Sequence, residues 1–307
     1  MDRTAQTGCL HRKISVKRKR AVIGITLGDP AGIGPEIIRK AVRRLGRSCN
    51  LRVLGSPQGI RPGVPTRKGA ELARQALEES IRLLRAGKIQ AVVNGPVSKE
   101  WLHRVGLRFP GQTEFYARRL GLAAGKVTMC LAGPRLRVAL VTTHVPLGKA
   151  VGLLNAQGIV RAGEHLVWFL KKIGISRPRI AVCGLNPHAG EAGLLGKEDA
   201  DKVVPAVRRL RKKTGLPFVG PVAADTIFVR ALRGEFDGVV ALYHDQGLIP
   251  VKLLDFDRTV NVTLGLPVVR CSPDHGTAFA LAGKGRANPG SMVEAVKLAV
   301  RLVGKRR

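Results

Sequence analysis

Apolar and polar positions fall in blocks along this chain that set helices between buried strands. Residues 21–27 (AVIGITL) are a continuous apolar run of strand length, and 28–34 form a glycine-rich turn. Pro35 then suits the first turn of a helix, where its missing N–H costs nothing. LRVLG at 51–55 is a second strand, followed by the Pro/Gly-rich loop SPQGIRPGVPTRKG. Helical spacing covers about 70–86, and IQAVVNG is strand into turn before a short helix near 99–105. VTMCLAG, RVALVTT, RIAVCGL and DGVVALY are further strand-length runs, with helices expected near 156–172 and 198–213. TVNVTLGLPVVRCS and a helix near 291–303 complete the pattern. Alternation of this kind predicts α/β layers with parallel strands.

Three of those runs end in a histidine: RVALVTT leads to His144, RIAVCGLN to His188 and DGVVALY to His244. Ligands of open α/β sheets sit beyond the carboxyl ends of strands, and imidazole is a good donor to a divalent cation. Three histidines in one such layout predict a metal site; the bland alternative is three unrelated loop histidines.

Composition narrows the class. The chain of 307 residues is long enough for a large α/β unit or two domains. No apolar stretch approaches the ~20 residues of a membrane helix, and the basic N-terminus lacks the apolar run of a signal peptide, so a cytoplasmic location is expected. Five scattered cysteines without CxxC spacing point to reduced thiols. Fifty-three basic residues against 21 acidic give a net charge of +32, a value often met in nucleic-acid binders. Yet aromatics are only 4%, no zinc-finger or RNA-recognition signature is present, and the basic residues spread along helices. The exception is HRKISVKRKR at 11–20, read with residues 1–10 as a disordered basic tail. Steering of an anionic substrate is an alternative source of this charge.

Other motifs are weaker. GDPAGIGPE opens a helix but is not GxGxxG, and Asp29 would repel a pyrophosphate; it does not match a P-loop either. Lys252, Asn261 and Arg270, on or near strands after the third histidine, form a plausible anion clamp or are ordinary surface charge. Asp225 and Asp245 could orient a ligating imidazole or serve as turn and cap residues. Asp274 or Thr277 in SPDHGTAF could simply cap the turn that follows.

Read together, GDPAGIGPE (28–36), NGPVSK (94–99), TTHVPL, CGLNPHAGE (183–191), GPVAADTIF (220–228), YHDQGLIPVK (243–252) and NVTLGLPVVRCSPDHGTAFALAGKG (261–285) resemble the 4-hydroxythreonine-4-phosphate dehydrogenase (PdxA) family, in consistent order over about 21–300. The resemblance implies a two-domain α/β/α fold like that of isocitrate and isopropylmalate dehydrogenases, with the active site in the interdomain cleft. It suggests one domain from 21–118 plus 237–307 and a second from 119–236. It implies NAD or NADP, a divalent metal (zinc, magnesium or cobalt) on His144, His188 and His244, and a homodimer that shares this metal site. Lys252, Asn261, Arg270 and the residues of GQTEF at 111–115, Gln112 and Thr113 foremost, would contact a phosphorylated substrate, and Asp225 and Asp245 are candidates for the base. The implied reaction is oxidation with decarboxylation of 4-phosphooxy-L-threonine to 3-amino-2-oxopropyl phosphate, a step of pyridoxal phosphate biosynthesis.

Two departures bear on the substrate. The family pattern GHTEF is GQTEF here, so Gln112 stands where a histidine is usual, and 56–68 is shorter than in the family. D-threonate or D-erythronate 4-phosphate is the alternative substrate, and a polyanion-binding protein on an inactive scaffold is the remaining reading.

Overall fold

The computed structural model describes residues 21–304; the basic tail at 1–20 lies outside the described residues. In chain order the elements are β1 (Val22–Thr26), α1 (Gly34–Leu45), β2 (Asn50–Leu54), α2 (Arg67–Arg85), β3 (Ala91–Asn94), α3 (Lys99–Arg104) and α4 (Gln112–Arg119). There follow β4 (Thr128–Ala132), β5 (Arg137–Leu140), α5 (Leu147–Leu153), α6 (Ala156–Lys172), β6 (Ile180–Cys183), α7 (Val204–Thr214), β7 (Phe218–Val222) and α8 (Ala224–Leu232). The last are β8 (Gly238–Ala241), α9 (His244–Asp255), β9 (Val260–Leu264), β10 (Val269–Pro273) and α10 (Gly290–Gly304). Among the described residues no helix is long and apolar enough to cross a membrane.

The strands form one mixed sheet of ten, in the order β2-β1-β3-β10-β9-β4-β5-β8-β6-β7. Its centre departs from the all-parallel expectation: β10–β9, β9–β4 and β4–β5 pair antiparallel. Connection length accounts for two of these pairs: only 265–268 join β9 to β10 and only 133–136 join β4 to β5, and links this short turn the chain back on itself. The third, between β9 and β4, joins strands distant in sequence and adds the odd reversal. Consequently the parallel strands at one end of the sheet (β1, β2, β3, β10) run opposite to those at the other (β5, β8, β6, β7). The division drawn from sequence groups β8 with the first unit; in the sheet it pairs between β5 and β6.

Helix starts follow local chemistry. Thr66 caps α2 by accepting from Gly69 N (3.1 Å), and Asn155 caps α6 by accepting from Gly158 N (2.8 Å). Helices α6 and α10 bury one face each in a core that runs along the central strands. Cys130, Cys183 and Cys271 are buried and free, and desolvation pushes their thiols well up, which suits inert core residues.

Backbone approach is closest at the turn after β1. Gly28 has φ 78°, and a Cβ there would stand 2.3 Å from the Pro96 carbonyl oxygen. Gly28→Ala is therefore expected to lower stability by at least ~2 kcal/mol, through left-handed strain and overpacking together. Gly125→Ala, where a Cβ would meet nothing within 4 Å, should cost less than ~0.5 kcal/mol. Urea midpoints of the two variants check the contrast.

Candidate active site

A cleft of about 370 Å³ lies over the central strands, lined by 95–97, the start of α4, His144, one face of α9 and 272–276. Helix α9 supplies His244, Leu248 and Lys252 at four-residue spacing, which puts all three on one face. Lys252 is thus on a helix, not a strand. The sequence hides this helix because Gly247 and Pro250 both read as breakers. Tertiary packing overrides them: a Cβ on Gly247 would stand 2.6 Å from Leu140 Cδ2 and 2.9 Å from Val138 Cγ1, so glycine lets α9 lie close on β5.

The floor of the cleft holds a buried cation. Arg270, 3% exposed, donates from Nε to Asn94 Oδ1 (2.7 Å), from Nη1 to Thr263 Oγ1 (3.3 Å) and from Nη2 to Gln112 Oε1 (2.9 Å). Asn94 in turn donates to Tyr116 Oη (2.8 Å) and Thr26 Oγ1 (3.1 Å), and Tyr116 shares a hydrogen bond of 2.6 Å with Ser80. Thr113 Oγ1 meets Thr263 Oγ1 at 3.1 Å. None of Arg270's hydrogen-bond acceptors is a carboxylate. Its charge is therefore desolvated without a hydrogen-bonded counter-ion among the described residues, and burial lowers its affinity for the proton, with Glu114 a weaker opposing charge.

Around this floor stand less constrained polar groups. Lys252 Nζ lies 3.5 Å from Asp274 Oδ2, and burial pushes the Asp274 carboxyl up against the opposing pull of Lys252. Asn261 Oδ1 and His275 Nε2 are buried without a partner. Sequence reading treated Asp274 as a cap, noted His275 only as its neighbour, gave Lys99 no role, and placed Glu114 at the substrate only as part of the GQTEF segment. Their signal was only their nearness to the histidine and clamp motifs.

The structure brings His144 and His244 together, with ring centroids 5.5 Å apart. Asp245 accepts from His244 Nδ1 (2.6 Å) while its own side chain stays largely exposed, so it orients the imidazole and leaves Nε2 free. His188 and Asp225 do not line this cleft. His188 is exposed and bonds Glu191 (2.7 Å), which holds its imidazole above the usual histidine range, with Asp225 adding a smaller pull. His188, Ala189, Gly190, Glu191 and Ala192 all take left-handed backbone, at φ 50°, 56°, 85°, 41° and 54°. The root of this turn is tied down by Asp199, which accepts from Leu185 N (2.7 Å) and Asn186 N (3.0 Å).

The glycine-rich turn after β1 does not cradle a ligand. A Cβ on Gly32 would meet the Thr277 carbonyl oxygen at 2.8 Å, and one on Gly34 the Leu27 carbonyl oxygen at 2.2 Å. Asp29 is buried, its carboxyl raised by desolvation although Ala31 N donates to it. These glycines serve protein packing, which accounts for the failed dinucleotide spacing.

A mixed sheet with two opposed parallel groups and a cationic cleft over its centre has the architecture of the isocitrate dehydrogenase type. The structure of isocitrate dehydrogenase from Methylococcus capsulatus superposes with a TM-score of 0.58 over 93% of this chain and 86% of that one, at 15% identity, which speaks to the fold alone. Closer comparison identifies the branch. The family model described as pyridoxal phosphate biosynthetic protein PdxA matches residues 18–299, and the chain belongs to that family. It is similar to the 4-hydroxythreonine-4-phosphate dehydrogenase of Zymomonas mobilis (41% identity; 90% of this chain, 94% of the relative). It is about as similar to the D-threonate 4-phosphate dehydrogenase of Cupriavidus necator (42%; 93% and 98%). Among solved structures, 4-hydroxythreonine-4-phosphate dehydrogenase from Klebsiella pneumoniae superposes with a TM-score of 0.80 at 36% identity, covering 94% of this chain and 99% of that one. The chain is a dehydrogenase-like oxidoreductase.

Asn94→Ala would strip Arg270 Nε and Tyr116 Oη of buried partners together. A loss of ~2–4 kcal/mol in urea denaturation is expected, against ~1 kcal/mol for Tyr116→Phe. A pH effect follows from His165, whose Nδ1 meets Thr128 Oγ1 at 2.9 Å. Burial holds it below the usual histidine range, with Arg161 adding to the effect. The unfolded chain takes up that proton first, so this contribution is complete above about pH 7 and is lost as pH falls through about 6.5. His165→Gln should make the loss of stability between about pH 7 and about pH 5.5 shallower, as read from urea midpoints.

Proposed function

We propose that this chain oxidises and decarboxylates a phosphorylated β-hydroxy acid, 4-phosphooxy-L-threonine, giving 3-amino-2-oxopropyl phosphate for pyridoxal phosphate synthesis. The observation that carries the reading is the buried Arg270 guanidinium without a carboxylate acceptor. A desolvated cation flanked by Lys252 at the edge of an open cleft is completed by an anion of high charge, and a phosphate monoester is that anion. Thr113 and Gln112, in the first turn of α4, and Asn261 orient the same group.

The donor set fits a divalent cation. His144 and His244 offer two imidazoles 5.5 Å apart, and the Asp245 bond engages His244 Nδ1, so that Nε2 is the nitrogen turned toward a ligand. Among the described residues no three potential donors gather in one chain, so the third imidazole would be His188 from a second copy. Exposed apolar side chains near this surface, Leu147 and Leu153 on α5, Leu194, and Ile249 and Leu253 on α9, support a homodimer. A nicotinamide cofactor, NAD or NADP, fits the remaining cleft beside the unpartnered His275 Nε2, where a Cβ on Gly276 would meet nothing within 4 Å. When bound, the metal would polarise the alcohol oxygen and the cofactor would accept the hydride. Two domains with this cleft between them complete the reading, with β8 counted in the second.

Within the chain, Lys252 and Arg270 fix the phosphate, and its binding orients the reacting carbon. Asp274, desolvated and adjacent to Lys252, takes the alcohol proton. Asp245 acts through His244, and Asp225 lies with His188 at the surface a partner would cover. D-threonate 4-phosphate is the second reading, favoured by Gln112, which carries no charge where the family pattern has a histidine; its Oε1 accepts from Arg270 and its Nε2 donates to the Gly95 carbonyl (3.2 Å).

The test is NADH formation with 4-phosphooxy-L-threonine, after chelation and after restoring a divalent metal. Metal-dependent turnover is expected, with Lys252→Ala raising KM at least ~10-fold and His144→Ala lowering kcat at least ~100-fold. Metal-loaded protein that turns over neither this compound nor D-threonate or D-erythronate 4-phosphate overturns the proposal.

A further inference from the structure

The cleft is a basic place with one acid left over. Of the described residues lining it, only Asp274 and Glu114 are acidic, and Asp274 lies against Lys252 at 3.5 Å. Glu114, in the first turn of α4, has its Oε2 buried without any hydrogen-bond partner. A first-turn glutamate that served only the helix dipole would keep its oxygens in water. Here the oxygen is turned under Gly111: a Cβ on that glycine would stand 2.9 Å from Glu114 Oε2 and 4.0 Å from His144 Cε1. Gly111 leaves bare space between the two side chains. Glu114 lines the same cleft as His144 and Arg270, and its charge bears on both.

A buried carboxylate oxygen with no donor is costly to the protein alone and is satisfied by a ligand that brings one. The donor that best uses its charge is a cation, because charge-assisted hydrogen bonds are about twice as strong as neutral ones. With phosphate on the floor and the reacting alcohol toward His144, the carbon beside that alcohol presents its carboxylate and one further substituent; Glu114 repels the carboxylate, so the other substituent is the group left to meet it. Resting on the function proposed above, we infer that Glu114 receives a primary ammonium there, so that the cleft selects phosphorylated β-hydroxy-α-amino acids over their 2-hydroxy counterparts.

The experiment compares kcat/KM for 4-phosphooxy-L-threonine and threonate 4-phosphate in the metal-loaded protein, in Glu114→Gln and in Glu114→Asp. The protein should favour the amino compound. Glu114→Gln should reduce that preference ~10-fold or more, mainly through KM, while the hydroxy acid changes less than ~3-fold. Glu114→Asp should recover part of the preference, and unchanged melting temperatures would show that all three fold. An equal loss on both substrates, or a native preference for the hydroxy acid, overturns the inference. If neither compound is oxidised, the oxidation reading fails separately. Calorimetric titration then decides on Glu114: the amino compound must bind ~10-fold tighter than the hydroxy acid, and Glu114→Gln must abolish that difference.

Discussion

Arg270 is the constraint around which the cleft is organised. A guanidinium on a central strand, 3% exposed and bonded to neutral acceptors, is tolerable only because Asn94, Thr263 and Gln112 are each held in place to receive it. Asn94 ends β3, Thr263 belongs to β9 and Gln112 opens α4, so one side chain ties three elements together. Tyr116 and Ser80 extend the network into the smaller core behind β1 and β3. The same groups that stabilise the charge also aim its remaining donors at the cleft, so stability and anion recognition share one set of atoms.

The sheet's reversal gives this cation its setting. Two short links, 133–136 and 265–268, make hairpins of β4–β5 and β9–β10, and the antiparallel pairing of β9 with β4 between them sets the two parallel groups running opposite ways. Residues following β3 and β10 at one end of the sheet, and those following β5 and β8 at the other, then line a single cleft. Lys252 and His244 arrive on one helix face because α9 can press against β5 at Gly247.

The strand runs and most long helices were legible because apolar blocks and glycine punctuation report burial directly. Pro35 and the span of α6 are instances where the local signal and the fold agree. Antiparallel pairing was not legible, since a buried apolar run looks the same whichever way its neighbours point. Helices α4 and α9 were hidden for opposite reasons. GQTEF carries few apolar residues, while Gly247 and Pro250 mask a helix that tertiary contacts impose. Of the site residues, His144, His244, Gln112, Thr113, Lys252, Asn261 and Arg270 gather in one cleft. His188 and Asp225 share the sequence motifs but lie apart in a single chain. Asn94 and Glu114 stand in motifs the family shares, but their particular parts were not legible: a buried donor network and an unpartnered oxygen exist only in three dimensions.

The left-handed run from His188 to Ala192 has a consequence of its own. On an exposed helix surface, replacing alanine by glycine costs about 1 kcal/mol and by a β-branched residue somewhat less. At Ala189 and Ala192, with φ of 56° and 54°, that order inverts. Glycine would relax the turn, and valine or isoleucine would be excluded by their own Cβ substituents. This short stretch therefore has a substitution spectrum of its own, narrow toward bulk and open toward glycine, set by backbone handedness and independent of any ligand.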